Sequence, residues 1–500
     1  MKILLIYPEY PDTFWSFKHA LKFISKKAVH PPLGLLTVAA MLPVDWEKRL
    51  IDMNVTTLTD KDLDWADYVF ISAMIVQKQS AKDLIDRCKK SGTKIVAGGP
   101  FFTAGYDDFA DIDHLVLNEA EITLPLFLTD LEHGKPRHLY KSMEFPDIKK
   151  TPAPLWELVD MKKYVSMTIQ YSRGCPFNCE FCDITTLYGR RSRTKTKDQI
   201  VTELENIHSQ GWRGNVFFVD DNFIGNRKKL KFDVLPAIID WMKKRKYPFN
   251  FSTEASIDLS DDEMLMQMMI KAGFGGVFVG IETPDDGSLA ECNKSQNRNR
   301  DLITSVKKIQ KFGLQVHGGF IVGFDNDSPS IFKSQIEFIQ KSRIITAMVG
   351  MLNAPRGSNL YKRIEKEGRL LKDTSGDNTD FSTNIIPKMG SEKLSLAYKN
   401  IINGIYSPKP YYERVRDYLR EYKPLEKRVF RLHLGHLRYH FGYAGAFFKS
   451  TWFLGIRDKE RIHYWKLLFW SLFRRPHLLH IAVACSIYGF HFRKIFANHL

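Results

Sequence analysis

The sequence predicts an α/β protein in three parts: an open, mostly parallel sheet, then a partial (β/α)6 barrel, then a mainly helical C-terminal region. Three observations predict this. Short β-branched or apolar runs alternate with helix-like stretches over roughly the first 140 residues. A second alternation begins near residue 165 and passes through six strand-like runs. Beyond about residue 385 the chain turns basic and aromatic, and residues 401–500 hold 18 Lys and Arg against 6 Asp and Glu. The expected limits are 1–140 for the sheet, 141–160 for a linker, 161–384 for the barrel and 385–500 for the helical region.

In the first part, strands are expected near 2–7, 49–52, 68–73, 94–97 and 114–117, with helices near 33–41, 79–90 and 121–131. Such alternation argues for a parallel sheet covered on both faces. Ligands of these sheets sit beyond the carboxyl ends of the strands. There the chain offers residues 8–11, Ser72-Ala73-Met74 and Gly98-Gly99-Pro100. Two glycines after a buried strand let backbone approach a ligand closely, although a tight strand-to-helix turn would use them equally well.

The barrel begins with a strand near 165–171, followed by runs at 214–220, 249–253, 275–281, 315–322 and 346–352. Amphipathic helices are expected at 197–210, 261–272, 300–312 and 328–341. Active sites of such barrels lie at the carboxyl ends of the strands. Polar residues gather there: Asp220-Asp221-Asn222, Thr253-Glu254 and Gly280-Ile281-Glu282-Thr283. Carboxylates in apolar strand ends need partners. A ligand with an ammonium group and ribose hydroxyls would supply them. Helix capping is the competing account for Asp220 and Asp221, and a weaker one for Glu254 and Glu282, because Glu caps poorly.

Directly after the first barrel strand come Cys175, Cys179 and Cys182, three thiols within eight residues. Three thiolates can bind three irons of a four-iron cluster and leave the fourth open, whereas an electron-transfer cluster usually has four protein ligands. A zinc site completed from elsewhere is the alternative, although no second Cys-x-x-Cys knuckle exists and Cys88, Cys292 and Cys485 stand alone. Met1-Lys2 runs straight into a strand-like segment, so the expectation is a cytosolic chain without signal peptide and with reduced thiols.

The spacing C-x3-C-x2-C, with Phe181 before the last cysteine, closely resembles that of the radical S-adenosylmethionine (SAM) enzymes. The N-terminal part resembles the cobalamin-binding, Rossmann-like domains that precede many such cores, on its opening strand, His30-Pro31-Pro32-Leu33-Gly34-Leu35, Ser72, Gly98-Gly99 and Asn118-Glu119-Ala120-Glu121. With the basic tail ending Ile487-Tyr488-Gly489-Phe490-His491-Phe492-Arg493, the whole resembles a subgroup that includes the hopanoid C-2 methylases. The resemblance implies a [4Fe-4S] cluster on Cys175, Cys179 and Cys182, and SAM contacts at Phe181, Glu254, Glu282, Gly319, Ile321 and Gly323. It implies cobalamin contacts at Ser72, Gly98 and Gly99. Asn326 stands where the family closes its fifth-strand motif with Glu, so that contact is not carried over. Asp52-Met53-Asn54 replaces the Asp-x-His of domains that ligate cobalt, so cobalamin is expected without a histidine on the metal.

The implied chemistry is methyl transfer to an unactivated carbon, through a 5′-deoxyadenosyl radical and methylcobalamin, with an external electron donor of flavodoxin or ferredoxin type. Ring formation or rearrangement without methyl transfer is a second reading, and a corrinoid or cluster sensor that binds nucleic acid a third. The substrate is expected to be a small, apolar or lipid-like molecule. The net charge of +16 falls mostly on the C-terminal fifth, where aromatic residues interleave with Arg and Lys. That region reads as a peripheral membrane contact or a lid over an apolar substrate, as a solvated basic face, or as a single-strand nucleic-acid binder. Its longest apolar run, residues 478–490, is too short to span a bilayer.

Overall fold

The computed structural model describes residues 1–371, 374–423 and 445–497; part of the basic C-terminal region, 424–444, lies outside them. The chain forms two compact units. The first comprises Met1–Pro11, Ala28–Phe249 and Ala354–Asp377, and the second Asp12–Lys27, Asn250–Asn353 and Asn378–Leu500.

The first unit opens with a six-stranded parallel sheet in the order β2-β1-β3-β4-β5-β6. Its strands are β1 (Lys2–Tyr7), β2 (Glu47–Asp52), β3 (Tyr68–Ser72), β4 (Lys94–Gly98), β5 (His114–Val116) and β6 (Leu139–Tyr140). Side chains of β1 alternate between two apolar layers, as strand geometry requires. Leu4 and Ile6 pack with Val69, Ile71 and helix Lys78–Ser91 on one face. Ile3 and Leu5 pack with Phe70, Val96 and helices Leu33–Met41 and Ala120–Glu132 on the other. A strand covered on both sides reads as a continuous apolar run, which is why β1 is so plain in the sequence.

The same unit holds the start of the second alternation. Strand β7 (Ser166–Ile169) is followed by the two-residue strands β8 (Ser172–Arg173) and β9 (Arg193–Thr194), which pair antiparallel. Helix Lys197–Ser209, capped reciprocally by Thr196 and Gln199, leads to β10 (Gly214–Phe218), parallel to β7. Strand β7 stops two residues earlier than expected because Tyr171 and Ser172 turn their amides onto Asp220.

The second unit contains four parallel strands, β11 (Phe249–Glu254), β12 (Phe274–Glu282), β13 (Gln315–Val322) and β14 (Ala347–Met351). Helices Glu263–Ala272, Leu302–Lys311 and Ile331–Ser342 connect them, the first two started by Asp262 and Asp301 as side-chain caps. Together with β7 and β10 of the first unit they account for the six strand-like runs expected of the second alternation. Among the described residues the unit also holds four long C-terminal helices, Ser391–Tyr406, Pro408–Glu421, Arg461–Arg474 and Leu479–Phe496. Residues 12–27 fold with them, a long-range association that no local pattern announces. Phe14 stacks on Phe492 with ring centroids 4.3 Å apart, and His491 bonds the Phe14 carbonyl at 3.0 Å. Among the described residues no helix is long and apolar enough to cross a membrane.

Candidate active site

The three candidate cluster cysteines sit on a loop closed at its base. Pairing of Ser172 with Thr194 and Arg173 with Arg193 pins the two ends of segment 174–192. Gly174 has φ +89, and a Cβ there would meet the carbonyl oxygens of Arg191, Tyr188 and Gly189 at 2.7–2.9 Å. Only glycine fits that return. Inside the loop, Cys175 N–H donates to Gly189 O and Cys182 N–H to Cys179 O, each at 3.2 Å. Cys179 is buried, Cys175 and Cys182 are half-buried, and none of the six cysteines is in a disulfide.

Asp220 and Asp221 at the end of β10 clamp the start of this loop. Asp220 accepts the Tyr171 and Ser172 amides and the Ser172 hydroxyl, the last at 2.6 Å. Asp221 accepts the Gly174 amide at 2.9 Å. Neither therefore caps the following helix, and Asp220 has no need of a ligand to satisfy its oxygens. Burial pushes Asp220 up to about 7 and Asp221 up to about 6.

Two further clamps, absent from the sequence-based expectation, hold the loop from outside. Glu119 of the N-terminal part accepts from Arg173 Nη1 at 2.7 Å and from Arg193 Nη2 at 2.6 Å, so one buried carboxylate holds both closing residues. Glu121 accepts from Arg173 Nη2 at 2.8 Å and from Thr151 Oγ1 at 2.7 Å. Burial works against the Arg173 charge, yet Glu121 and Glu119 hold its guanidinium well above the ordinary value. Burial likewise opposes the Glu121 charge, and Arg173 more than offsets it, leaving that carboxyl below its usual range. On another side Glu180, between Cys179 and Phe181, accepts two bonds from Arg363, at 2.7 and 3.0 Å. Thr186 Oγ1 donates to Gly357 O at 2.9 Å.

A cavity of about 740 Å3 opens at the carboxyl ends of β1, β3 and β4 and extends to the cysteine loop. Ser72, Gly98 and Gly99 line it, as do the 30–35 segment and Asn118 to Glu121. Arg173, Asp183, Tyr188, Asp221 and Arg356 line it from the loop side. Both glycines are obligatory. A Cβ on Gly98 would meet Val116 O at 2.5 Å, and Gly99 has φ +90 with Ser72 Oγ 2.5 Å from the same position. Bare backbone therefore forms this wall, the cradle a corrin ring would need. The site expected to lack an imidazole is otherwise engaged: Asp52 is buried and accepts from Asn54 Nδ2 at 2.7 Å and Tyr164 OH at 3.0 Å. His30 is the imidazole in the cavity wall. Its ring stacks on Phe217 at 5.2 Å, and burial takes it down to about 4, so it is neutral at physiological pH.

Phe181 lies on the cysteine loop of the first unit, and the other predicted residues lie in the second unit, on its strands or at their carboxyl ends. Glu254 ends β11 and Glu282 ends β12. Glu282 has φ +63 at an irregularity of the ladder, and its carboxylate is buried against Lys294 Nζ at 2.6 Å. That lysine was not legible as a partner. Gly319 and Ile321 belong to β13, and Gly323 follows with φ +102, its amide donating to Asp327 at 2.8 Å. A Cβ on Gly319 would meet the Phe278 ring at 2.8 Å. Asn326 donates its amide to Glu291 at 2.8 Å.

The donor chemistry suits a cubane: three thiols on one closed loop, each able to bond a different iron. Among the described residues no three His, Cys, Asp or Glu side chains converge on a single-ion site. Residues 23–128 match the B12 binding domain, residues 169–339 the Radical SAM superfamily, and residues 358–500 a domain of unknown function (DUF4070). The class is thus a radical SAM enzyme with a B12-binding domain ahead of its core.

An uncharacterized methyltransferase of Synechocystis sp. is 40% identical over 497 residues, covering 98% of this chain and 91% of the relative. The hopanoid C-2 methylase of Rhodopseudomonas palustris is 34% identical over 419 residues, covering 83% of this chain and 78% of that one. The chain belongs to the cobalamin-dependent radical SAM methyltransferases, and its cofactors are a [4Fe-4S] cluster, SAM and cobalamin. Solved structures share the fold at low identity. The cobalamin-dependent radical SAM enzyme OxsB, with aqua-cobalamin and SAM bound, has a TM-score of 0.62 at 16% identity, over 99% of this chain and 80% of its own. The methyltransferase TsrM of Kitasatospora setae has a TM-score of 0.58 at 14% identity, over 75% and 79%.

Proposed function

We propose that this enzyme methylates an unactivated carbon of an apolar, lipid-like molecule. The observation that carries the reading is the 34% identity to a methylase named for a hopanoid, sustained over 419 residues. The bound groups supply an electron for splitting SAM and a transferable methyl group; the protein positions and shields.

In this reading Cys175, Cys179 and Cys182 hold the cluster, with Phe181 beside it. Glu254, Glu282, Gly319, Ile321 and Gly323 contact SAM, and Lys294 fixes the Glu282 carboxylate. Ser72, Gly98 and Gly99 contact cobalamin, with no protein histidine on cobalt. A flavodoxin- or ferredoxin-type donor reduces the cluster. The proposed modules are 1–140, 161–384 and 385–500, joined at 141–160; the matches at 23–128 and 169–339 fall within the first two, and the match at 358–500 starts inside the second.

The test is anaerobic reconstitution with iron, sulfide and cobalamin, followed by incubation with methyl-labelled SAM and host lipid extract. Label in an apolar product, with both S-adenosylhomocysteine and 5′-deoxyadenosine formed, is the expected result. 5′-Deoxyadenosine alone would favour ring formation or rearrangement. Label confined to water-soluble products would overturn the lipid-like substrate.

A further inference from the structure

Helix Arg461–Arg474 is apolar on both of its faces. Tyr464, Leu467, Leu468 and Ser471 face the protein and are buried. The opposite stripe carries Ile462, Phe469, Leu472 and Phe473, which are 62%, 52%, 46% and 78% exposed. These positions follow helical spacing, so they form one continuous strip. Trp465 flanks it, stacked on Phe469 at 5.4 Å. The preceding π-helical turn, Thr451–Arg457, adds exposed Trp452, Phe453 and Ile456 to the same segment. An exposed apolar patch of this kind marks a contact surface.

Charge identifies the partner. Between Phe448 and Arg475 stand seven Lys and Arg against two acidic residues, Asp458 and Glu460. Glu460 is already paired with Arg493 at 2.7 Å, outside that segment. Exposed aromatic and aliphatic side chains in a segment with a net excess of cations suit the interface of an anionic bilayer, where apolar groups enter the acyl boundary and cations meet phosphate. At fourteen residues the helix is too short to span.

We propose that residues 448–475 form a docking face for an anionic phospholipid surface, with helix Arg461–Arg474 lying in the interface plane. The proposal goes beyond the lipid-like substrate and stands on a separate surface.

The experiment is co-sedimentation of the full chain, without SAM or substrate, with phosphatidylcholine vesicles containing or lacking phosphatidylglycerol. Expected is sedimentation with the anionic vesicles that weakens as salt rises, and at least tenfold weaker partitioning of the double variant Phe469→Glu, Phe473→Glu. Because both side chains are exposed, circular dichroism and iron content of the variant should match the parent. Equal partitioning of parent and variant, or no dependence on the anionic lipid, would overturn the proposal. So would a parent dimer in light scattering that the double variant converts to monomer, since a second copy would then be the occupant. Methylation of detergent-dispersed substrate by the variant separates this proposal from the substrate reading: vesicle binding can fail while that activity stays intact.

Discussion

The base of the cysteine loop and helix Arg461–Arg474 break the same packing rule in opposite directions. At the loop, charged groups are largely withdrawn from water: Glu119 is buried, Glu121, Arg173 and Arg193 are partly buried, and the four are joined by ion pairs. On the helix, large apolar groups are left in water. Buried charge is tolerated where each member is paired, and its reward here is a fixed geometry around three thiols. Exposed apolar surface that no described residue covers calls for a partner of its own. One departure is solved within the fold, the other awaits a partner.

That contrast can be broken or sharpened by measurement. The largest effect is expected from Cys175→Ala, Cys179→Ala or Cys182→Ala. Each should abolish 5′-deoxyadenosine formation, measured chromatographically after anaerobic reconstitution; persistence of that product would remove the loop from the chemistry. Next comes Glu119→Ala, which leaves two buried guanidinium groups short of counter-charge. Breaking a buried pair costs about 3–5 kcal/mol, so denaturant unfolding should shift by that order, with Glu119→Gln falling between. A shift near zero would mean that the pairs contribute nothing to holding the loop.

Gly99→Ala should come third. The left-handed backbone costs about 1–3 kcal/mol for a residue with a side chain, and the new methyl group strikes Ser72. Cobalamin retained after loading, read from its visible absorbance, should fall several-fold more than stability does.

Acid should act more gently. Glu121 has its carboxyl lowered in the folded protein from an ordinary 4.5, so its contribution is fully present above that pH. It is lost as pH falls through the folded value. A Glu121→Gln variant should therefore show a flatter stability profile below about pH 4.5. The smallest effect is expected from Phe473→Ser. A surface change of this kind stays within about 0.5 kcal/mol, although it removes the most exposed aromatic group of the helix.

What the sequence made legible follows from the range of the interactions involved. β1 was readable residue by residue because a parallel strand buried on both faces leaves an unbroken apolar run. The cysteine triplet was readable because its chemistry is local. The Asp220 clamp was half-legible: its carboxylate stood out, but a protein amide three strands' worth of sequence away was indistinguishable from a ligand. Glu119 with Arg173, and Glu180 with Arg363, lie 54 and 183 residues apart. Such pairs follow no period, so only the folded chain reveals them. Helix Lys18–Ile24 was missed for a related reason, since its packing partner is helix Leu479–Phe496 at the far end of the chain.

The sharing of one carboxylate between Arg173 and Arg193 also limits how this enzyme can be taken apart. A truncated core beginning near residue 161 would inherit two guanidinium groups shaped for a counter-ion that had been cut away. Family boundaries drawn along the sequence are therefore poor scissors here. Transplanting the radical core onto a foreign N-terminal module should require carrying Glu119 and Glu121 along with it.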